Sequence, residues 1–399
     1  MKEKVIFHID VNSAYLSWEA AYRLYHLGQR EDLRLQPAAV AGDAALRHGI
    51  ILAKSIPAGR CGVKTGDSIF EARQKCPGLR LVPPNYRLYH KCSEAFMEIL
   101  DRYAPRTEQY SIDEAYADMT EVTGRFESPR AAAEQLRREI RRTLGFTVNI
   151  GISSNKLLAK MASDFEKPDK VHTLYPEEIP EKLWPLPVKD LFLAGPATTR
   201  KLQSLGIRTI GELAHTDPAI LHSVLKKHGE VVWAFANGIG PGEVESSPPP
   251  NKGYGNSITL AKDVCDLSSA RLVVLSLAEL LGERLRAAGV EAGSLSLEVK
   301  DYLFQSASHQ KQLDTPTSLN EELYHNGCGL LEELWDGTAL RHMGLRAGKL
   351  RKVSGLRQQT LFDTGDHEKL IRMNHTVDRI RRKYGRDALR RAAFLERRG

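Results

Sequence analysis

The sequence predicts an α+β chain of several domains, and three observations carry that prediction. Its 399 residues exceed what one hydrophobic core usually supports, which points to three or more domains. Segments with strand and helix periodicity alternate through the first part of the chain. A second run, read as strand, helix, strand, strand, helix and strand, follows a Gly- and Pro-rich linker.

Taken in order, the first strand is the apolar run Val5 to Asp10, and a helix follows from Ser13 through Tyr25. A mixed segment to about Pro77 holds small strands near 38–40 and 49–53. Helices cover 86–103 and 129–144, and between them 108–118 reads as two short strands around Asp113 and Glu114. Successive strand side chains point to opposite faces. Bringing both acids to one cluster therefore requires the backbone to turn there, as at a hairpin.

Thr147 to Ser153 is a further strand, feeding a helix capped by Ser153 or Ser154. Leu157, Leu158, Met161 and Phe165 form its apolar stripe, and Pro168 ends it. Lys156, Lys160 and Lys167 then fall on nearly one side of that helix. A solvated lysine face is the ordinary reading of such a row; here the helix springs from a strand beside the acidic ones.

Pro187 to His228 is a run of short helices centred on Leu205–Leu213, similar to a helix-hairpin-helix module that grips a DNA backbone through main-chain N–H groups. Residues 237–252, with Gly238, Gly240, Gly242 and three consecutive prolines from Pro248, form a linker that reads as a semi-rigid spacer. Beyond it come strand 257–260, helix 268–288, strands 294–300 and 303–313, helix 318–335 and strand 342–353. That is the β-α-β-β-α-β order of ferredoxin-like domains. Alternation of Leu295, Leu297 and Val299 marks a sheet with one wet face.

Composition excludes several classes. Hydrophobic content of 42% and charged content of 27% describe an ordinary soluble protein. No run approaches the 18 apolar residues of a membrane span, and Met1-Lys2-Glu3-Lys4 leads straight into a strand with no room for a signal peptide. The five cysteines lie far apart with no Cys-x-x-Cys, so a zinc site is not expected and reduced thiols in a cytoplasm are. Net charge is +7; residues 364–399 hold eleven Lys/Arg against five Asp/Glu, a difference of +6, so the body is close to neutral.

The chemistry lies in three acids at strand ends: Asp10, Asp113 and Glu114. Carboxylates so placed are the usual way to hold two magnesium ions roughly 3.5–4 Å apart for nucleotidyl transfer. Magnesium prefers hard oxygen ligands and takes the rest of its shell from water and substrate phosphates. Solvated strand-end acids are the bland alternative for any one of them.

Together the motifs resemble a known family. His8-Ile9-Asp10-Val11-Asn12-Ser13-Ala14-Tyr15 and Tyr110-Ser111-Ile112-Asp113-Glu114-Ala115-Tyr116 look like the metal motifs of the Y-family, or translesion, DNA polymerases. Residues 151–160 through Lys167-Pro168 match the family's third motif, and the branch is similar to bacterial DNA polymerase IV and UmuC-like enzymes. The resemblance implies a right-hand polymerase: a ferredoxin-like palm from 1–16 and 78–167, small fingers over 17–77 and a helical thumb over 168–236. The linker is then 237–252, a ferredoxin-like little finger spans 253–355, and 356–399 carry a clamp-binding peptide and a basic tail helix. It further implies template-directed addition of dNTPs to a primer 3′-hydroxyl on primer-template DNA, by a low-fidelity, distributive monomer acting in DNA damage tolerance. Asp10, Asp113 and Glu114 would hold two Mg²⁺ ions, with the Val11 carbonyl as a further ligand. Tyr15 would be the steric gate against a ribose 2′-hydroxyl, and Lys167 would meet the triphosphate.

Two departures from the family pattern stand out. Ile56 and Gly59 occupy places where relatives carry a Tyr and an Arg on the fingers, leaving Lys54 or Arg60 to take over the phosphate contact. The hairpin glycine pair of the thumb is incomplete, with Leu193 at the first place and Gly195 at the second. Near the end, Gln358-Gln359-Thr360-Leu361-Phe362 resembles the peptide that binds the bacterial sliding clamp, in which Gln358 would supply a hydrogen bond while Leu361 and Phe362 fill an apolar pocket. The tail helix, 367–398, reads either as a solvated amphipathic helix or as a DNA- or partner-binding arm.

Two other classes fit parts of the pattern. A non-catalytic clamp- or DNA-bound scaffold would not need all three acids and Lys167. A nucleotidyl cyclase, which also pairs acids with magnesium on a palm-like fold, has no use for the hairpin module, the clamp peptide or a separate C-terminal domain.

Overall fold

The computed structural model describes residues 4–43, 49–247, 249–353 and 366–395. Within them the chain divides into two compact units, with the boundary at Pro249.

The first unit begins with β1 (Ile6–Val11) and α1 (Ala14–Tyr25). β2 (Ala38–Ala41), β3 (Ile51–Lys54), α2 (Ile56–Arg60), α3 (Ile69–Lys75) and β4 (Arg80–Val82) follow, the three strands pairing in the order β3-β2-β4. Next come α4 (Tyr86–Tyr103), β5 (Arg106–Gln109), β6 (Glu114–Asp118), α5 (Pro129–Leu144), β7 (Val148–Ser153), α6 (Lys156–Ser163) and β8 (Val171–Thr173). They complete a five-stranded sheet ordered β5-β6-β1-β7-β8.

The alternation along β1 sorts that sheet into two chemically distinct faces. Phe7, Ile9 and Val11, with Val148, Ile150 and Ile152 of β7, pack under Phe96 and Ile99 of α4 and Leu136 and Ile140 of α5. The opposite face carries His8 and Asp10, in register with Tyr116 and Glu114 on one side and with Gly151 and Asn149 on the other. Helix α6 lies directly on this polar face because Gly151 has no Cβ: one there would overlap the Ala159 carbonyl oxygen.

Helix α6 differs from the sequence expectation at both ends. Its cap is Asn155, whose side chain accepts the Leu158 amide at 2.8 Å, because Ser153 remains in the strand and spends its hydroxyl on the Leu174 carbonyl. It stops at Ser163, where the buried Asn149 amide donates to the carbonyls of Ser163 (3.0 Å), a helix-end acceptor, and of Glu166 (2.7 Å) in the loop beyond. Lys167 therefore lies in the loop beyond the helix, before a cis Lys167–Pro168 bond, and Lys160 is buried rather than on a solvated face.

Helices α7 (Pro196–Ser204), α8 (Ile210–Ala214), α9 (Pro218–Leu225) and α10 (Lys227–Ala236) build their own core from Leu202, Ile210, Leu213, Leu221 and Val232, which Leu157 and Leu158 of α6 join. The turn before α7 puts Leu193 at φ 68, in the left-handed region that favours glycine, and Gly195 caps α7. The spacer expected after α10 is fastened in its first half. Asn155 and the Lys156 amide donate to the Gly238 and Pro241 carbonyls, each at 3.0 Å, and Val244 is buried against Ile6, Tyr116 and Ala159.

The second unit contains β9 (Tyr254–Val264), α11 (Leu267–Ala287), β10 (Val290–Asp301), β11 (Ser306–Thr317), α12 (Asn320–Leu334), β12 (Leu340–Gly348) and β13 (Arg351–Lys352). The element order is the expected one. The sheet runs β11-β10-β12-β9, so the two strands that follow helices lie at its centre, with β13 pairing β10. Leu295, Leu297 and Val299 join the core under α11 and α12. The tail helix, α13 (Asp366–Tyr384), ends before Gly385 (φ 92) and is anchored on its own unit. Buried Asp378 takes two hydrogen bonds from Arg286 at 2.6 and 2.9 Å, and Arg381 reaches Glu279 at 3.0 Å. Gln358, Leu361 and Phe362 lie outside the described residues. No helix among the described residues is long and apolar enough to cross a membrane.

Candidate active site

Asp10 near the end of β1 stands directly opposite Glu114 at the start of β6, and cross-strand partners share a face. Asp113 joins them through the turn that the sequence requires. The amides of Tyr110 and Ser111 both donate to the Glu114 carbonyl, at 3.0 and 3.1 Å, closing a hairpin between β5 and β6. Ser111 holds its inside: its hydroxyl donates to Asp113 Oδ1 at 2.7 Å and accepts from the Glu114 amide at 3.1 Å. The Val11 amide then donates to the Asp113 carbonyl at 3.0 Å, locking the hairpin to β1.

Two lysines hold these acids. The Lys167 ammonium contacts Asp10 Oδ2 and also pairs with Asp164 at 2.8 Å. Lys160 reaches Glu114 Oε1 at 3.0 Å. Burial pushes the Asp10 carboxyl above the usual carboxylate range, and Lys167 only partly offsets this. Burial also works to raise Glu114, but the facing His8 and Lys160 outweigh it and hold that group down at about 2. Of the two, Lys160 is the closer partner. His8 Nε2 stands 3.9 Å from Oε2, beyond hydrogen-bond reach. Burial keeps its imidazole below its ordinary pKa, while Nδ1 engages Ser163 Oγ at 2.8 Å.

Among the described residues no group of three or more His, Cys, Asp and Glu side chains is gathered to hold a metal ion. The donor chemistry fits magnesium all the same. It consists of hard carboxylate and carbonyl oxygens on adjacent strand ends, and at Asp10 it includes a charge that burial leaves poorly solvated.

Beside the acids opens a cavity of about 1210 Å³, lined by Asp10, Val11, Tyr15, Lys54, Arg60, Asp113 and Lys167. Tyr15, Lys54, Arg60 and Lys167, expected from the sequence to face a nucleotide, are all on that wall, and Glu114 is not among its lining residues. Lys54 crosses the bare backbone of Gly59, where a Cβ would sit 3.5 Å from its Nζ. Position 59 and the Lys54 ammonium are thus neighbours at ordinary contact distance.

Sequence reasoning missed two parts of the site. Asn12 and Asn149 tie the Lys167 loop to the strands: Asn12 donates to Asn149 at 3.1 Å and accepts from the Asp169 amide at 3.0 Å. Their signal is a buried amide in the otherwise apolar run Val148 to Ile152. The second is Lys160, which counting along a helix groups with Lys167 although the two serve different acids.

The chain matches the impB/mucB/samB family over residues 9–164 and that family's C-terminal domain over 251–361. It is 41% identical over 393 residues to a DNA polymerase IV of Clostridium acetobutylicum, covering 98% of each chain. With one from Acetivibrio thermocellus it shares 36% over 401 residues, 100% of this chain and 99% of the relative. Its fold is similar to that of a Y-family DNA polymerase chimera, with a TM-score of 0.74 at 22% identity over 88% of this chain and 100% of the chimera.

Proposed function

The chain belongs to the impB/mucB/samB family of Y-family DNA polymerases, and from that premise we propose that Asp10, Asp113 and Glu114 are its metal carboxylates and the adjoining cavity its nucleotide site. It is a DNA-directed DNA polymerase of the translesion type, extending a primer 3′-hydroxyl with deoxynucleotides along a template. The observation that supports the site assignment is the cross-strand pair Asp10–Glu114 beside a cavity that also collects Tyr15, Lys54, Arg60 and Lys167.

Asp10, Asp113, Glu114 and the Val11 carbonyl would hold two Mg²⁺ ions. When bound, such a pair lowers the pKa of the attacking hydroxyl and neutralises charge on the leaving pyrophosphate. The protein supplies the rest. Lys167, shared between Asp10 and Asp164 on the cavity wall, would meet the triphosphate. Lys54, lying over Gly59, supplies the phosphate contact that the fingers otherwise lack, with Arg60 beside it. Tyr15 closes the sugar side of the cavity and excludes a 2′-hydroxyl.

In this reading the five-stranded sheet with α4 and α5 is the palm, the β3-β2-β4 layer the fingers, α7–α10 the thumb and the second unit the little finger. Gln358, Leu361 and Phe362 form the sliding-clamp peptide, and the enzyme works as a cytoplasmic monomer.

Primer extension tests the assignment. Synthesis should need Mg²⁺, stop with a chelator and resume when Mg²⁺ is restored in excess. Lys54→Ala should raise the dNTP concentration for half-saturation more than Arg60→Ala does. Equal, wild-type behaviour of both variants would contradict the proposed phosphate contacts.

A further inference from the structure

Lys160 is a charged side chain in an unusual place. It projects from α6 onto the polar face of the sheet, its side chain is only 10% exposed, and its ammonium lies 3.0 Å from Glu114 Oε1. Two aromatic rings wall in the rest of that ammonium: Tyr110 at 5.8 Å and Phe192 at 5.5 Å to the ring centroids. A cation over aromatic faces gains most where water is excluded, and these contacts fix where the ammonium sits.

The two walls come from different parts of the first unit. Tyr110 belongs to the hairpin that carries Asp113 and Glu114. Phe192 precedes α7 and is the residue immediately before Leu193, whose left-handed backbone (φ 68) forms the turn. Phe192 is held in place by stacking on Phe235 of α10, with centroids 6.1 Å apart and planes 10° from parallel. One covalent step therefore separates the turn from the ring that covers the cation paired to Glu114.

We propose that Lys160 is a positioning residue for Glu114 and that Phe192 makes this positioning depend on the turn at Leu193. The turn belongs to the helical module read as gripping the DNA backbone, so its seating on a duplex would be felt at Glu114 through a ring and an ammonium. The proposal rests on the reading of Glu114 as a metal carboxylate.

The test compares Lys160→Met, Lys160→Arg, Phe192→Ala and the Lys160→Met/Phe192→Ala double variant, with Glu114→Gln as reference. Two quantities are read: single-turnover dNTP incorporation, and Mn²⁺ binding to the protein without DNA, followed by electron paramagnetic resonance. Lys160→Met should slow incorporation about tenfold or more, the cost of a misplaced group in the reacting centre. Its half-saturating dNTP concentration should stay within about twofold of wild type, since a positioning loss falls on the rate. The same variant should bind Mn²⁺ more tightly, because a cation competing for Glu114 is gone. Lys160→Arg should recover much of the rate. Phe192→Ala should slow incorporation by about two- to thirtyfold, the range of one cation–π contact, and the double variant should be no slower than Lys160→Met.

Wild-type incorporation by Lys160→Met beside a crippled Glu114→Gln would overturn the role of Lys160. Loss of rate and of Mn²⁺ affinity together would show that it merely supports the fold. A double variant slower than Lys160→Met by the full Phe192→Ala factor would overturn the coupling to the turn. Unimpaired Glu114→Gln would overturn the metal reading instead.

Discussion

The ring of Tyr15 lies flat against that of Tyr89, with centroids 4.5 Å apart and planes 9° from parallel. Tyr89 is fully buried and its hydroxyl donates to Glu19 at 3.2 Å, while Tyr86 meets Tyr15 edge-on at 6.2 Å. The Tyr15 ring is thus backed by a second ring that has nowhere to move. Burial, and then the charge of Asp113, pushes its phenol pKa up, so the hydroxyl stays protonated.

Tyr15→Ala should admit ribonucleotides while largely sparing dNTP use, because the ring acts by occupying space and makes no bond a deoxynucleotide needs. Tyr89→Ala should shift the rNTP-to-dNTP ratio in the same direction by about two- to twelvefold, the equivalent of ~0.5–1.5 kcal/mol for one aromatic pair. Competition between rNTP and dNTP in primer extension measures both. An unchanged ratio for Tyr15→Ala would make Tyr15 a packing residue.

Leu193 holds a left-handed backbone with a side chain that is nearly half exposed. That conformation costs a residue with a Cβ about 1–2 kcal/mol, and glycine gives back part of the difference through its freer unfolded chain. Leu193→Gly should therefore stabilise the protein by roughly 1 kcal/mol or less, a rise in Tm of about 1–3 °C for a unit of this size. A lower Tm in a thermal melt would show that the Leu193 side chain contributes more than its backbone costs.

Acid should expose the Glu114 pair. Its carboxyl is held down from 4.5 to about 2, so the stability it adds is complete above the unfolded value and is lost as pH falls through that interval. Glu114→Gln should cost on the order of 2 kcal/mol at neutral pH, as expected for a charged hydrogen bond left unmade. The gap in Tm between wild type and variant should narrow as pH drops toward about 3. A gap independent of pH would mean that Glu114 is not held by charge.

Changing Leu361 and Phe362 together to Ala should remove clamp-stimulated synthesis and leave basal extension unchanged. Burying a Leu and a Phe is worth roughly 1.5–3 kcal/mol each. Even after the cost of ordering the peptide, losing both should weaken clamp binding by about two orders of magnitude. Binding of a 357–364 peptide to the bacterial sliding clamp, measured beside processivity of the double variant, checks this.

Much of this architecture could be read from the residues, and what could not has physical reasons. The apolar run of β1 placed Asp10 at its end, and the need to turn two adjacent acids to one side anticipated the hairpin that Ser111 builds. Helix periodicity failed at α6 because the pattern of Leu157, Leu158, Met161 and Phe165 outruns the helix. Asn149, distant in sequence, takes the carbonyls at its end. That misplaced Lys167, which lies in the loop beyond the helix. The pairing of Lys160 with Glu114, the aromatic walls around it and the anchoring of α13 by Arg286 and Asp378 depend on contacts between residues far apart in sequence, from Lys160–Phe192 to Arg286–Asp378, which a periodicity cannot carry. Around α2 the sequence offered only a departure from the expected pattern, at Ile56 and Gly59, and the structure puts the Lys54 ammonium at ordinary contact distance of position 59.

The most direct measurement is primer extension by Asp10→Asn, Asp113→Ala and Glu114→Ala, each beside its affinity for primer-template DNA. Asp10 and Glu114 are cross-strand partners and Asp113 lies in the hairpin just before Glu114, whereas duplex affinity comes mainly from many phosphate contacts. Extension should fall at least about a thousandfold in each variant, as expected when preorganised charge stabilisation is removed, with DNA binding nearly intact. Extension at the wild-type rate by any of the three, in protein that still binds DNA, would contradict the assignment of that carboxylate to the catalytic centre.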